Sequence, residues 1–222
     1  MLKVDVITIF PEQIENFMQF GLFRIAKESG ALECKAHDLR KWTTDNHKSV
    51  DDRPYGGGAG MVMKIEPIYR ALEELRQKDS VVVALTPKGH LLKQKILREI
   101  VAKNTEHMIL IAGHYEGFDQ RILDNLVDMR ISVGEYVLSG GELPALTLLD
   151  GVVRLLPGVL GNEHSSTDES HENNLLEYAQ YTRPEEFNGW KVPDVLLSGN
   201  HKEITEWRKE SSKKMTDQFK AR

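Results

Sequence analysis

Apolar positions along the chain switch between two periods. Residues 2–10 alternate and stop at Pro11, which predicts a strand; Pro11 then suits the first turn of a helix carrying Ile14, Phe17, Met18 and Phe20. A second helical stretch ends at Gly30, and residues 32–37 read as a short strand. Residues 38–60 are polar, rich in turn formers and end in the run GGGAG, which predicts a loop longer than a compact domain keeps without a purpose. Helical spacing returns with Ile65, Ile68, Tyr69, Leu72 and Leu75. Apolar strands at 81–85, 108–112 and 129–133 are then separated by helical stretches at 92–102 and 119–126, and a helix over 143–155 follows. Continuous apolar strands between amphipathic helices predict an α/β fold, a parallel sheet with helices on both faces. Residues 162–174, NEHSSTDESHENN, are wholly polar and read as a flexible linker. Residues 175–222 carry few strand signals and several helical ones, which predicts a small helical domain. The expected organisation is 1–161, 162–174 and 175–222.

Composition narrows the class. With 222 residues, 40% hydrophobic and 28% charged, the chain lies near the globular average, away from collagen-like, disordered and disulfide-scaffold sequences. Its one cysteine, Cys34, can form neither an internal disulfide nor a multi-cysteine metal site, and in a strand-like run it reads as a packed residue. The longest apolar candidate for a membrane span, 143–160, is broken by Asp150 and Arg154. Lys3 and Asp5 stand where a signal peptide needs its apolar core, so a cytoplasmic protein with no membrane partner is expected. The net charge is −5, unevenly spread: residues 201–222 hold seven basic and four acidic side chains, a net +3 that leaves −8 on the first 200. A basic tail on an acidic body points to an anionic partner, although a solvated helix face has the same pattern.

Ligands of open parallel sheets bind outside the carboxyl ends of the strands. Three successive predicted strands end in glycine-bearing loops: TPKG (86–89), GHYEG (113–117) and SVGEYVLSGGELP (132–144). Glycine lets backbone groups approach a ligand closely, and three such loops at one edge suit a flat, largely neutral heterocycle better than a triphosphate. Any one of them alone also reads as ordinary turn chemistry. The patterns GxxxxGK[ST], GxGxxG after the first strand, GxSxG and HExxH are absent. Glu163, His164, Asp168, Glu169, His171 and Glu172 cluster in the linker, but a solvated stretch has the same composition and no metal site is assigned. Arg154 interrupts the apolar run Val152, Val153, Leu155 and Leu156, where a buried cation needs a partner, such as Asp150, or a task.

Five segments carry a resemblance: DDRPYGGGAGMVM (51–63), GHYEGFDQR (113–121), ISVGEYVLSGGELPALTLLD (131–150), RLLPGVLGN (154–162) and YTRPEEFNGWKVPDVLLSGNHKEITEWR (181–208). In this order, with the opening strand, they resemble the bacterial tRNA (guanine-N1)-methyltransferases that act at tRNA position 37, members of the SPOUT class. The resemblance implies an α/β domain with a trefoil knot toward its C-terminal end. It also implies S-adenosyl-L-methionine as cofactor, tRNA as partner, and a homodimer with both active sites at the subunit interface. On the matching positions, Leu85, Gly113, Glu116, Gly117, Val133, Gly134, Glu135, Tyr136, Val137, Leu138, Gly140, Gly141 and Pro144 would surround the cofactor.

Guanine N1 is a poor nucleophile while protonated, so the reaction calls for a general base and for a cation to hold charge building on O6. The resemblance gives Arg154 the cation role and a linker carboxylate the role of base. The family places Asp directly before the linker serine, whereas this chain reads Thr167-Asp168-Glu169-Ser170. Direct register gives Glu169; register shifted by one gives Asp168. The second domain would hold the anticodon branch through its phosphates, with Asn200, Lys202 and Arg208 as RNA-binding residues. Magnesium (Mg2+) is implied by the resemblance alone, and no spacing names its ligands. Two neighbouring readings are a methyltransferase of the same class with another RNA target, and a tRNA-binding module without catalysis.

Overall fold

The computed structural model describes residues 1–103, 105–160, 170–171 and 175–220 of the chain. The chain divides into two units, Met1–Gly161 and Asn162–Arg222. In order, the first contains β1 (Leu2–Thr8), α1 (Pro11–Phe17), α2 (Gly21–Glu28), β2 (Leu32–Asp38), β3 (Asp51–Asp52), β4 (Val62–Met63) and α3 (Ile65–Leu75). It continues with β5 (Ser80–Leu91), α4 (Gln94–Ala102), β6 (His107–Ala112), α5 (Gln120–Asn125), β7 (Met129–Ser132) and α6 (Glu142–Val153). Five strands form one parallel sheet in the order β2-β1-β6-β5-β7.

Alternate strand residues serve opposite faces. Val4, Val6, Val83, Met108 and Leu110 pack with apolar side chains of α1, α2, α4 and α6, whereas Ile7, Val82, Ala84, Ile109 and Ile111 pack with those of α3, α5 and the 3-10 turn Leu39–Trp42. Because both faces are covered, β6 is buried at every position and shows no polar alternation. Each such Ile or Leu contributes roughly 1.5–3 kcal/mol by leaving water. The parallel α/β sheet with helices on both faces expected from the hydrophobic pattern is the observed architecture.

One polar chain crosses the amino-terminal half of this sheet. The Gln77 amide donates to Ser80 Oγ (2.7 Å), which meets His107 Nδ1 at 2.6 Å. His107 Nε2 lies 2.8 Å from Asp5 Oδ2, and His37 Nε2 lies 2.5 Å from Asp5 Oδ1. Burial alone would raise the Asp5 carboxyl, but hydrogen bonds from His37 and His107, with their charge, hold it below the ordinary carboxylate value.

Two segments depart from the sequence pattern. The polar stretch 38–60 is not a plain loop: β3 pairs antiparallel with β4 to form a short ribbon. More consequential for the site, β5 does not end at Leu85. It passes through the 86–89 turn and rejoins β7, so that Ile131 is a register partner of both Leu85 and His90. Gly89 lies against β7 so closely that an added Cβ would sit 2.5 Å from the carbonyl carbon of Arg130 and the amide nitrogen of Ile131.

In the second unit, α8 (His201–Lys220) follows a hairpin and a short helix: β8 (Glu186–Phe187), β9 (Trp190–Lys191) and α7 (Asp194–Leu197). The hairpin is an addition to the expected helical unit; its turn is Asn188-Gly189, both at positive φ. Extended residues 175–180 are held on α8 by side chains: Thr216 and Ser211 accept from the amides of Leu176 and Ala179, and Ser212 donates to the Leu176 carbonyl.

Candidate active site

Sheet order places β6, β5 and β7 side by side, so the three glycine-bearing loops meet at the carboxyl edge. Together they line a cavity of about 240 Å³, a little below the roughly 300–1,000 Å³ usual for ligand clefts. Its wall takes Leu85, Thr86, Pro87 and Lys88 from the turn within β5, 113–118 from the loop after β6, and 131–133, 136–141 and Pro144 from β7 through the start of α6. Of the thirteen positions singled out by resemblance, eleven line this cavity; Gly134 and Glu135 do not. Gly134 instead accommodates Tyr136, whose ring occupies the space a Cβ at 134 would fill. The Ser132 hydroxyl closes this turn, donating to the Gly134 carbonyl at 2.8 Å.

The loops approach each other too closely for side chains. The Gly141 amide donates to the Gly113 carbonyl at 2.6 Å, and a Cβ on Gly141 would lie 2.5 Å from the Gly113 nitrogen. A Cβ on Gly113 would meet the Phe118 ring at 2.9 Å. The ribbon after Asp51 supports the middle loop from outside: Glu116 N–H donates to the Met61 carbonyl, Met63 N–H to that of Gly117, and Asp119 N–H to that of Met63. Gly60, the last glycine of GGGAG, lies where any Cβ would overlap the Glu116 carboxylate, so this glycine lets Glu116 fold under the loop. Tyr115 holds a left-handed backbone (φ 59°), rare for a side chain of its size. Burial, then the charge of Asp51 and a hydrogen bond to it, push its phenol above the ordinary value.

Sequence reasoning did not single out His114, Thr86, Lys88 or Ser139 for this wall, although all lie within the loops it named. It also missed the buried group behind the wall. Glu142 is only 3% exposed, and its Oε1 accepts from the Thr8 hydroxyl at 2.7 Å across 134 residues of sequence. No local signal encodes that pairing.

Arg154 caps the carboxyl end of α6, half-buried, with its amide donating to the Asp150 carbonyl at 3.2 Å; it is not among the residues lining the cavity. The candidate bases Glu169 and Asp168 lie outside the described residues. In the second unit, Asn200 Oδ1 accepts from the amides of Lys202 and Glu203 and so caps α8. Arg208 stacks its guanidinium 4.7 Å from the centre of the Tyr178 ring, while Lys202 is exposed. Among the described residues, no group of three His, Cys, Asp or Glu side chains is placed to hold a metal ion, and no helix is long and apolar enough to cross a membrane.

Comparison with known proteins matches this arrangement to one group. A family model described as tRNA (Guanine-1)-methyltransferase TrmD matches residues 2–221. A tRNA (guanine-N(1)-)-methyltransferase of Dictyoglomus turgidum is 49% identical, the alignment covering 97% of this chain and 87% of the relative. Proteins of the same name from Geobacillus kaustophilus and Halalkalibacterium halodurans are 48% and 47% identical, each over 97% of this chain and 88% of the relative. The alignments span the three cavity loops and the second unit alike, so the chain belongs to the tRNA (Guanine-1)-methyltransferase TrmD family.

Proposed function

We propose that this chain transfers a methyl group from S-adenosyl-L-methionine to N1 of guanine at position 37 of tRNA. The observation that carries the reading is the glycine-built cavity at the carboxyl edge of β5, β6 and β7, in a chain that belongs to a tRNA (Guanine-1)-methyltransferase family. The cavity fits the cofactor's chemistry. Gly113 and Gly141 present only backbone to the cavity wall, and Val137, Leu138 and Tyr136 supply apolar surface suited to a planar base. Thr86, Ser132, Ser139 and Glu116 supply hydroxyl and carboxylate partners for a ribose and an amino-acid ammonium. Bound there, the cofactor supplies an electrophilic sulfonium methyl.

The protein's own contribution is proton and charge management. A linker carboxylate, Glu169 or in the shifted register Asp168, takes the N1 proton as the new C–N bond forms, and Arg154 holds the charge that gathers on O6. Among the described residues no cluster fits magnesium, and no step is assigned to it. One further part of the reading has structural support. Exposed apolar side chains around the cavity (Phe10, Tyr115, Val137, Leu138 and Leu143) favour pairing of two copies at this edge. The knot in this reading rests on membership of the family.

The test is methyl transfer from labelled S-adenosylmethionine to unmodified tRNA transcripts carrying guanine or adenine at position 37. Label confined to the guanine transcript and mapped to N1 is the expected result. Label on another nucleotide or atom refutes the assignment, and cofactor binding without any transfer leaves a binding module. The base is identified by Glu169→Gln and Asp168→Asn: loss of the true base lowers turnover by about 10²–10⁴-fold with cofactor binding intact. Full activity of both variants removes the linker carboxylate from the mechanism.

A further inference from the structure

The buried pair behind the cavity has a geometry that packing alone leaves unexplained. Glu142, in the first turn of α6, gives one oxygen to the Thr8 hydroxyl; the other, Oε2, is turned to His114 Nδ1 at 4.0 Å. That separation is within Coulombic reach but too long for a hydrogen bond. Among the described residues, the buried His114 Nδ1 has no hydrogen-bond partner, a condition that costs a polar group about 1–3 kcal/mol. Gly140 stands at the gap: it bridges to His114 through the backbone, and a Cβ there would overlap the Glu142 carboxylate and lie 2.6 Å from Nδ1. The His114 ring lines the cavity and is held edge-on by Phe10 and Tyr115, with centroids 5.3 and 5.1 Å away. A latch between β1 and α6 needs only the Thr8 hydroxyl and an amide. A carboxylate turned toward an unsatisfied ring nitrogen in a cavity wall serves the cavity.

We propose that Glu142 is a positioning residue and His114 the ligand-contacting residue it positions. When the cavity is filled, the gap closes, Nδ1–H donates to Glu142 Oε2, and this tautomer leaves Nε2 as an acceptor toward a donor on the ligand. The inference rests on S-adenosylmethionine as the ligand and extends that reading by two residues. The donor is a ribose hydroxyl, the adenine amino group or the amino-acid ammonium, the hydrogen-bond donors that such a molecule carries.

The test is a double-mutant cycle read by calorimetric titration with S-adenosylhomocysteine, on wild type, Glu142→Gln, His114→Ala and the double variant. The expected result is about tenfold weaker binding on Glu142→Gln when His114 is present, and less than about twofold when it is already alanine. Equal losses in both backgrounds overturn the inference, since Glu142 then acts only through Thr8. Nitrogen NMR of the unaltered protein, with His114 assigned from His114→Ala, gives an independent reading should Glu142→Gln fail to fold. Nδ1 becomes a hydrogen-bonded N–H on saturation, and an unchanged Nδ1 overturns the proposal. Repeating the cycle with methylthioadenosine, which keeps the adenine and ribose but lacks the ammonium, narrows the donor: coupling retained marks the nucleoside part, a ribose hydroxyl or the adenine amino group, and coupling lost marks the ammonium. If wild type binds neither probe, the cofactor reading fails first and this inference with it.

Discussion

Replacing Gly141 by alanine tests whether close approach of the loops builds the cavity. Gly141 has an ordinary backbone (φ −86°), so alanine meets no conformational penalty there. The cost is spatial: the new Cβ would stand 2.5 Å from Gly113 N, 2.7 Å from Ala112 Cα and 2.9 Å from Ala112 C. These are backbone atoms, which cannot rotate away, and ordinary contact begins only near 3.4 Å. The 132–144 and 113–117 loops must therefore separate by close to an ångström, stretching the 2.6 Å bond from Gly141 N–H to the Gly113 carbonyl. Overpacking costs about 1–3 kcal/mol and the lost hydrogen bond about 0.5–1.5, offset by about 0.4–1 from the stiffer unfolded chain. The net centres near 2 kcal/mol, or about 4–8 °C in Tm for a unit of this size. Gly57→Ala is the comparison. Its Cβ would meet nothing within 4 Å, but its φ of 78° imposes strain of about 1 kcal/mol, remote from the cavity wall. Thermal unfolding and titration with S-adenosylhomocysteine should show both variants losing stability and Gly141→Ala alone losing affinity, by at least about tenfold. Wild-type affinity in Gly141→Ala would refute the close approach as the origin of the cavity.

Two further perturbations probe other parts of the chain. Asp5→Asn places an amide where two imidazole N–H groups converge, and should lower the urea midpoint at pH 7; because the Asp5 carboxyl is depressed, its contribution is fully present above the ordinary carboxylate value of about 3.9 and lost as pH falls through its lower folded value. The gap between wild type and variant should therefore narrow in acid, and a gap constant from pH 7 to pH 3 would contradict the hydrogen-bond account. In the second unit, Lys202→Ala should weaken tRNA binding with a salt slope shallower by about one and leave Tm unchanged, whereas Arg208→Ala should also lower stability by about 0.5–1 kcal/mol through its stack on Tyr178. A Tm unaffected by Arg208→Ala would mean the stack contributes nothing to folding.

Strands buried on both faces write themselves into the sequence as apolar runs, which is why β5 and β6 were legible; the edge strand β7, with Arg130 in its middle and packing on one face only, is a weaker signal at the same edge. What was not legible depends on pairings between distant segments. The TPKG turn reads as a strand terminator because proline and glycine break local ladders; that the chain resumes pairing at His90 is decided by β7, some forty residues later. The bond from Thr8 to Glu142 is hidden for the same reason, and a lone Glu after two glycines reads as a solvated helix start. The β8–β9 hairpin did leave a local signal, Asn188-Gly189, but strands of two residues carry too little alternation to confirm it.

The glycines show where sequence reading stops. Gly57 and Gly117 are needed for a left-handed backbone and stand in open space, whereas Gly113 and Gly141 lack that requirement and are needed because another segment occupies the place of a side chain. In one dimension the two kinds are the same letter. A glycine kept for its torsion shapes its own loop; a glycine kept for closeness records a contact between loops, and such contacts, at Gly113 and Gly141, draw the three strand ends into one cavity. The alanine comparison at 57 and 141 therefore tests more than two positions: it asks whether the site exists because the loops are flexible or because they touch, and only contact predicts that affinity and stability fail together at Gly141.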